Sequence, residues 1–137
     1  MRAIKTNRKR SSALGAATAA AMLFVGPASA ANGVAPKDLR GRWTTTPPRC
    51  EQENGVADVL IVTSAELAFY EIGCTLKSAE THGAETRFKA SCYKGGSPDS
   101  SGTVLIRRLS PTKLSLSLHG FSWSGETPEE FQRCAAR

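Results

Sequence analysis

Past residue 30 this chain has little of what usually announces chemistry. It has two histidines, His82 and His119, far apart in sequence, and its four cysteines include no C-x-x-C pair. Zinc ligands come in closely spaced pairs, so no metal site is expected. The chain also lacks a long apolar run: beyond residue 30 none exceeds four residues, as in Val59-Leu60-Ile61-Val62, far short of the ~20 residues of a membrane-spanning helix. Helical periodicity is missing too, since no stretch of ten residues repeats its apolar positions every three to four. Clustered charge is the last absence. The whole chain is +6, with 18 basic and 12 acidic side chains. Five of the basic ones, Arg2, Lys5, Arg8, Lys9 and Arg10, fall in the first ten residues, and the first thirty hold no acid. The remainder carries 13 basic against 12 acidic residues, a net of +1. A nucleic-acid binder needs a clustered basic footprint on its folded domain. The one adjacent basic pair left, Arg107-Arg108, reads as a solvated strand end, so no nucleic-acid partner is expected.

What is present begins with a leader. MRAIKTNRKR is basic, SALGAATAAAMLFVG is a short apolar stretch, Pro27 ends it, and Ala28-Ser29-Ala30 supplies small residues before a cut. That order is a secretory signal peptide over residues 1–30, cleaved after Ala30. The leader holds no Arg-Arg pair and no cysteine stands at the cut, so general export without a lipid anchor is expected, to the periplasm or beyond. The remaining 107 residues suffice for one compact domain. Residues 31–38, ANGVAPKD, are unpatterned and read as a mobile tail. Residues 39–137 then form a single domain.

In that domain the dominant period is two. "DVLIVT" is apolar on both faces, and "ELAFYEI" sets Leu67 and Phe69 against Ala68, Tyr70 and Ile72. "TRFKASCY" alternates Phe88, Ala90 and Cys92 with polar residues, and "KLSLSL" does so with Leu114, Leu116 and Leu118. "GTVLIRRL" and "EEFQRC" are further strands. Strict alternation rich in β-branched and aromatic residues marks half-buried strands. The separators are short and polar: Thr63-Ser64-Ala65, His82-Gly83, KGGSPDSSG and Ser110-Pro111-Thr112-Lys113. "TPEEF" has Thr127 and Pro128 placed to open one helical turn. The expected fold is all-β: a small antiparallel meander, closed or nearly closed into a barrel of six to eight strands, because closure removes exposed edges.

Cys50, Cys74, Cys92 and Cys134 all lie in the domain, and an even number in a short exported chain implies two disulfides. Cys74 and Cys92 are equidistant from Gly83. If Gly83 centres a hairpin, they oppose each other on neighbouring strands, within disulfide reach. The same register opposes Lys77 and Lys89, an unfavourable pair that a bulge near the turn would relieve. Cys50 and Cys134 would then tie the first strand to the last.

The stretch LRGRWTTTPPRC, residues 39–50, starts the domain. Gly41-Arg42-Trp43 on the first strand of a meander resembles the lipocalin and avidin-like barrels. The resemblance implies a Trp that plugs one end and a Gly that admits a neighbouring backbone. Pro47-Pro48 would end the strand. Leu39, Gly41, Trp43 and Cys50 also resemble the start of small periplasmic inhibitors of secreted metalloproteases. That likeness implies a tail, here residues 31–38, that enters a protease cleft. The four cysteines and the Asn32-Gly33-Val34-Ala35-Pro36 tail depart from that family's pattern.

No catalytic set assembles in the sequence. His119 falls on the serine face of LSLSLHG, His82 sits near a turn, and no acid pair is constrained. The chain is therefore expected not to be an enzyme and to need no cofactor. Gly120-Phe121-Ser122-Trp123-Ser124-Gly125 is uncharged and aromatic among small residues, so Phe121 and Trp123 are the candidate partner-binding residues of an exposed loop. Tyr70, Tyr93, Phe121 and Trp123 could also line the mouth of a barrel. The expected function is that of an exported, disulfide-tied binding module, monomeric and non-catalytic, whose partner is a protein such as a secreted or periplasmic hydrolase. The alternative is a carrier of one small apolar ligand.

Overall fold

The computed structural model of the chain describes residues 33–51 and 59–135. The expected signal peptide and its cleavage point lie outside these residues. The described chain is a closed barrel of eight antiparallel strands in sequence order. They are β1 (Gly41–Thr44), β2 (Val59–Val62), β3 (Glu66–Phe69), β4 (Ile72–His82), β5 (Glu85–Lys94), β6 (Ser100–Ser110), β7 (Lys113–His119) and β8 (Glu129–Arg133). Each strand pairs with the next, and β1 closes on β8 through Trp43↔Arg133 and Thr44↔Gln132. Short 3₁₀ turns at Lys37–Leu39 and Pro47–Arg49 flank β1.

Alternation decides what lies inside. One side chain in two along each strand points inward, and the cross-strand register aligns these positions around the barrel. Trp43 faces Leu60, Leu60 faces Phe69, Phe88 faces Val104, Val104 faces Leu118 and Leu114 faces Phe131. These residues fill the lumen with a contiguous apolar core. Each such side chain contributes about 1.5–3 kcal/mol on burial. Phe131 meets Phe69 edge-on, ring centroids 5.2 Å apart.

Both disulfides follow the pairing that the spacing favoured. Cys74–Cys92 is a directly opposed cross-strand pair inside the barrel, Cα atoms 4.1 Å apart. Cys50–Cys134 joins the segment after β1 to the end of β8, Cα atoms 5.6 Å apart. The β4–β5 register shifts between Leu76 and Ser78, so Ser78, not Lys77, faces Lys89. The bulge separates the like charges. It also moves the turn to Gly83-Ala84, with His82 the last residue of β4.

Three local expectations need correction. "ELAFYEI" is not one strand: β3 ends at Phe69, and a two-residue turn through Tyr70 and Glu71 leads to Ile72 opposite Phe69. Tyr70 occupies the left-handed region, φ 51°, where glycine or asparagine is usual. With no Gly, Asn or Pro at the turn, the pattern carried no turn signal. Thr127 and Pro128 lead into β8 rather than into a helical turn. Residues 33–38 are not a free tail either. The Val34 and Ala35 amides donate to the Ser64 carbonyl at 2.7 and 2.9 Å, and Ala35 is buried against the core.

Candidate functional site

The register gives the barrel two unlike ends. The first end holds the start of β1, the β2–β3, β4–β5 and β6–β7 turns and the end of β8. The second holds the β3–β4 turn, the β5–β6 connection and the long β7–β8 loop, residues 120–128.

Trp43 closes the first end. It is 1% exposed, and its indole N–H donates to the Leu39 carbonyl at 2.9 Å. The Arg133 guanidinium lies over its ring, 4.0 Å from the centroid, a cation–π contact. The same guanidinium donates to the Arg40 carbonyl at 3.1 Å and to the Asp38 carbonyl. Arg40 in turn donates twice to the Ala35 carbonyl, at 2.9 and 2.8 Å. Asp38 pairs with Arg108 from β6. Burial, and then the neighbouring Arg108, hold the Arg133 guanidinium below the ordinary arginine value. Gly41 has its reason here. At φ 125° it adopts a backbone that side chains avoid, and a Cβ would stand 3.2 Å from the Arg133 guanidinium. It admits a neighbouring side chain, where the resemblance implied a backbone.

The second end carries a pocket of about 170 Å³. Phe69, Ile72, Leu116, Leu118 and Trp123 make its apolar walls, and Lys94, Thr127 and Glu129 stand at its edge. The β7–β8 loop forms one side. Ser124 fixes that loop: its amide donates to the Phe121 carbonyl at 3.2 Å, and its hydroxyl to the carbonyls of Phe121 and Leu118 at 3.0 and 3.3 Å. The two expected partner-binding residues therefore part company. Phe121 is 5% exposed and its ring packs on Gly102, where an added Cβ would come within 2.5 Å. It anchors the loop and is not exposed at its tip. Trp123 stacks on Phe121, centroids 5.0 Å apart and planes 21° apart, half-buried at the pocket wall. Its indole N–H is buried without a hydrogen-bond partner. Tyr70 and Tyr93 are 53% and 45% exposed at the same end. Glycine inside a strand marks a close approach, so Gly102 was the sequence signal for a buried Phe121.

Other concavities lie at the first end and on the outer face, and the two on the outer face are larger than the pocket at the second end. A depression of about 160 Å³ at the first end is walled by Asp38, Thr81, Thr86 and Arg108 beside Pro36 and Leu39. Troughs of about 320 and 260 Å³ run between outward side chains of β5, β6 and β7, among them Leu105, Arg107, Ser115 and His119. One array on that outer face has the order of a nucleophile relay, a feature the sequence did not reveal. The Ser117 hydroxyl lies 3.0 Å from His119 Nε2, and His119 Nδ1 lies 3.7 Å from a Glu126 carboxylate oxygen. A catalytic relay needs hydrogen-bond contact at both steps and a reachable hydroxyl. Ser117 is 6% exposed, and 3.7 Å is too long for a hydrogen bond. Among the described residues no group of three His, Cys, Asp or Glu side chains is placed to hold a metal ion. No described helix is long and apolar enough to cross a membrane. Compared with protein-family models, curated proteins and solved structures, the chain matches none.

Proposed function

We propose that this protein is an exported binding module whose site is the pocket at the second end of the barrel. The observation that carries the reading is the contrast between the ends: one is plugged by Trp43 and Arg133 and carries only a depression walled by Asp38, Thr81, Thr86 and Arg108, while the other offers a pocket whose walls are Phe69, Ile72, Leu116, Leu118 and Trp123 under a polar edge. Small-molecule sites of drug size run from about 300 to 1,000 Å³. At about 170 Å³ this pocket matches a single ring or a short branched alkyl group. Such a group is best presented on a larger partner, an apolar side chain seated from outside while the rim meets the surface around it. A secreted or periplasmic hydrolase is a partner class that fits, and the module would then act as its inhibitor. The docked residues 33–38 favour the mouth over the N-terminal segment as the contact surface, since insertion of that segment would break the Val34 and Ala35 bonds to Ser64.

The second reading is a carrier of one small apolar ligand in the same pocket. A size series separates binding from its absence: benzyl alcohol, cyclohexanol and naphthalene-2-methanol, followed by saturation-transfer NMR. One-ring probes should bind in the millimolar range, the two-ring probe more weakly, and Trp123→Ala should abolish the difference. No saturation transfer to any probe would contradict the site. A bound mass released on denaturation of protein taken from the export compartment would favour the carrier.

A further inference from the structure

The rim of the mouth is charged, and acids outnumber bases there. Glu71 in the β3–β4 turn, Asp99 in the β5–β6 connection, and Glu126 and Glu129 at the approach to β8 are all exposed at the second end. Among the described residues, that end sets against them Lys94 and the His119 imidazole beside Glu126, and the chain leaving β1 adds Arg49 and Glu51. The first end has the opposite balance: Lys37, Arg40, Arg108, Lys113 and Arg133 against Asp38, Glu66 and Glu85. Exposed Tyr70 and Tyr93 also stand at the second end, and the face of a phenol ring attracts cations.

From this rim we infer that the mouth recognises a basic peptide segment of a partner protein, one that seats an aromatic or short aliphatic side chain in the pocket with Lys or Arg beside it. The inference rests on the pocket being the binding site, as proposed above. Charge complementarity selects the sign of the partner, since like charges brought together at an interface are strongly disfavoured. The spread of the carboxylates selects a peptide over a small amine. They come from three separate connections around the mouth, so one ammonium cannot meet them all. An extended peptide advances ~3.3 Å per residue and places cations on either side of a central anchor. An anionic amphiphile would find Lys94 and Arg49 among five carboxylates.

Three peptides test this on the whole exported protein: Ac-Lys-Phe-Lys-NH2, Ac-Gln-Phe-Gln-NH2 and Ac-Glu-Phe-Glu-NH2, titrated by NMR at low salt and at 0.3 M salt. The lysine peptide should bind about tenfold tighter than the glutamine peptide at low salt, with the glutamate peptide weakest. The gap should narrow as salt rises. A Glu71→Gln, Glu126→Gln double variant, both positions exposed, should narrow the gap between the lysine and glutamine peptides by about half on the logarithmic scale, Asp99 and Glu129 holding the rest. Equal affinity for all three peptides would overturn the charge inference while leaving the pocket as the site. Tightest binding of the glutamate peptide would overturn it in favour of an anionic partner. Benzylamine binding as tightly as the lysine peptide would overturn the peptide in favour of a small amine. Binding of none would remove the pocket reading along with it.

Discussion

The two ends of this barrel each hold one of the chain's two tryptophans, and they use them oppositely. Trp43 has every face occupied: a carbonyl takes its N–H, a guanidinium covers its ring, and the lumen packs its edge. Trp123 has one face on Phe121, a buried N–H without a partner, and another side on the pocket. Leaving a buried donor unsatisfied costs about 1–3 kcal/mol. The first end spends its residues on closure, and the second tolerates imperfect packing where a partner can be met.

Breaking the closed end should have the largest effect. Replacing Cys50 and Cys134 together by Ala should lower stability by up to about 4.5 kcal/mol in urea denaturation of the oxidised protein, because the bond closes a loop 84 residues apart in sequence. The pair Cys74 and Cys92, 18 apart, should cost about 3 kcal/mol by the same measure. Equal losses would show that native packing around the bonds outweighs loop closure. Next, Trp43→Ala should cost about 3–5 kcal/mol, while Trp123→Ala, half-buried, should cost about 1–2 kcal/mol. Equal costs in that pair would erase the distinction between the ends. Arg133→Leu should cost about 1–2 kcal/mol through the lost cation–π contact and the freed carbonyls of Asp38 and Arg40. Arg133→Lys should recover only part of it, because an ammonium lacks the planar fork. The smallest effect sharpens the functional side of the contrast. Tyr70→Gly should leave stability unchanged or raise it by about 1 kcal/mol by relieving the left-handed backbone, yet weaken binding of a basic peptide. Thermal melts and the peptide titration read the two effects separately.

How legible this contrast was in the sequence varies by residue. Most of the strand alternation from Val59 onward and the Cys74–Cys92 pairing followed from period-two geometry, which is local; Cys50–Cys134 followed as the remaining pair, and the bulge expected near the turn lies between Leu76 and Ser78. The turn at Tyr70-Glu71 did not, since the residue that adopts the unusual backbone is held there by pairing of Phe69 with Ile72. Only the resemblance to lipocalin and avidin-like barrels implied an end position for Trp43, and nothing implied its cover: Arg133 meets it only through closure of β1 on β8, a contact across the whole domain. Phe121 and Trp123 share one sequence environment and differ in what they meet, a strand glycine in one case and a pocket in the other. Residues 33–38 looked structureless because their partners, Ser64 and Arg108, lie on distant turns and strands.

The most direct measurement uses the two indole N–H signals of the isotope-labelled protein, one reporting each end. The protein is titrated with benzyl alcohol, which carries no charge and so tests the pocket alone. The account expects the Trp123 signal to shift with saturation while the Trp43 signal stays in place. Movement of Trp43 together with Trp123, or of neither, would contradict the claim that one end is sealed and the other receives a partner.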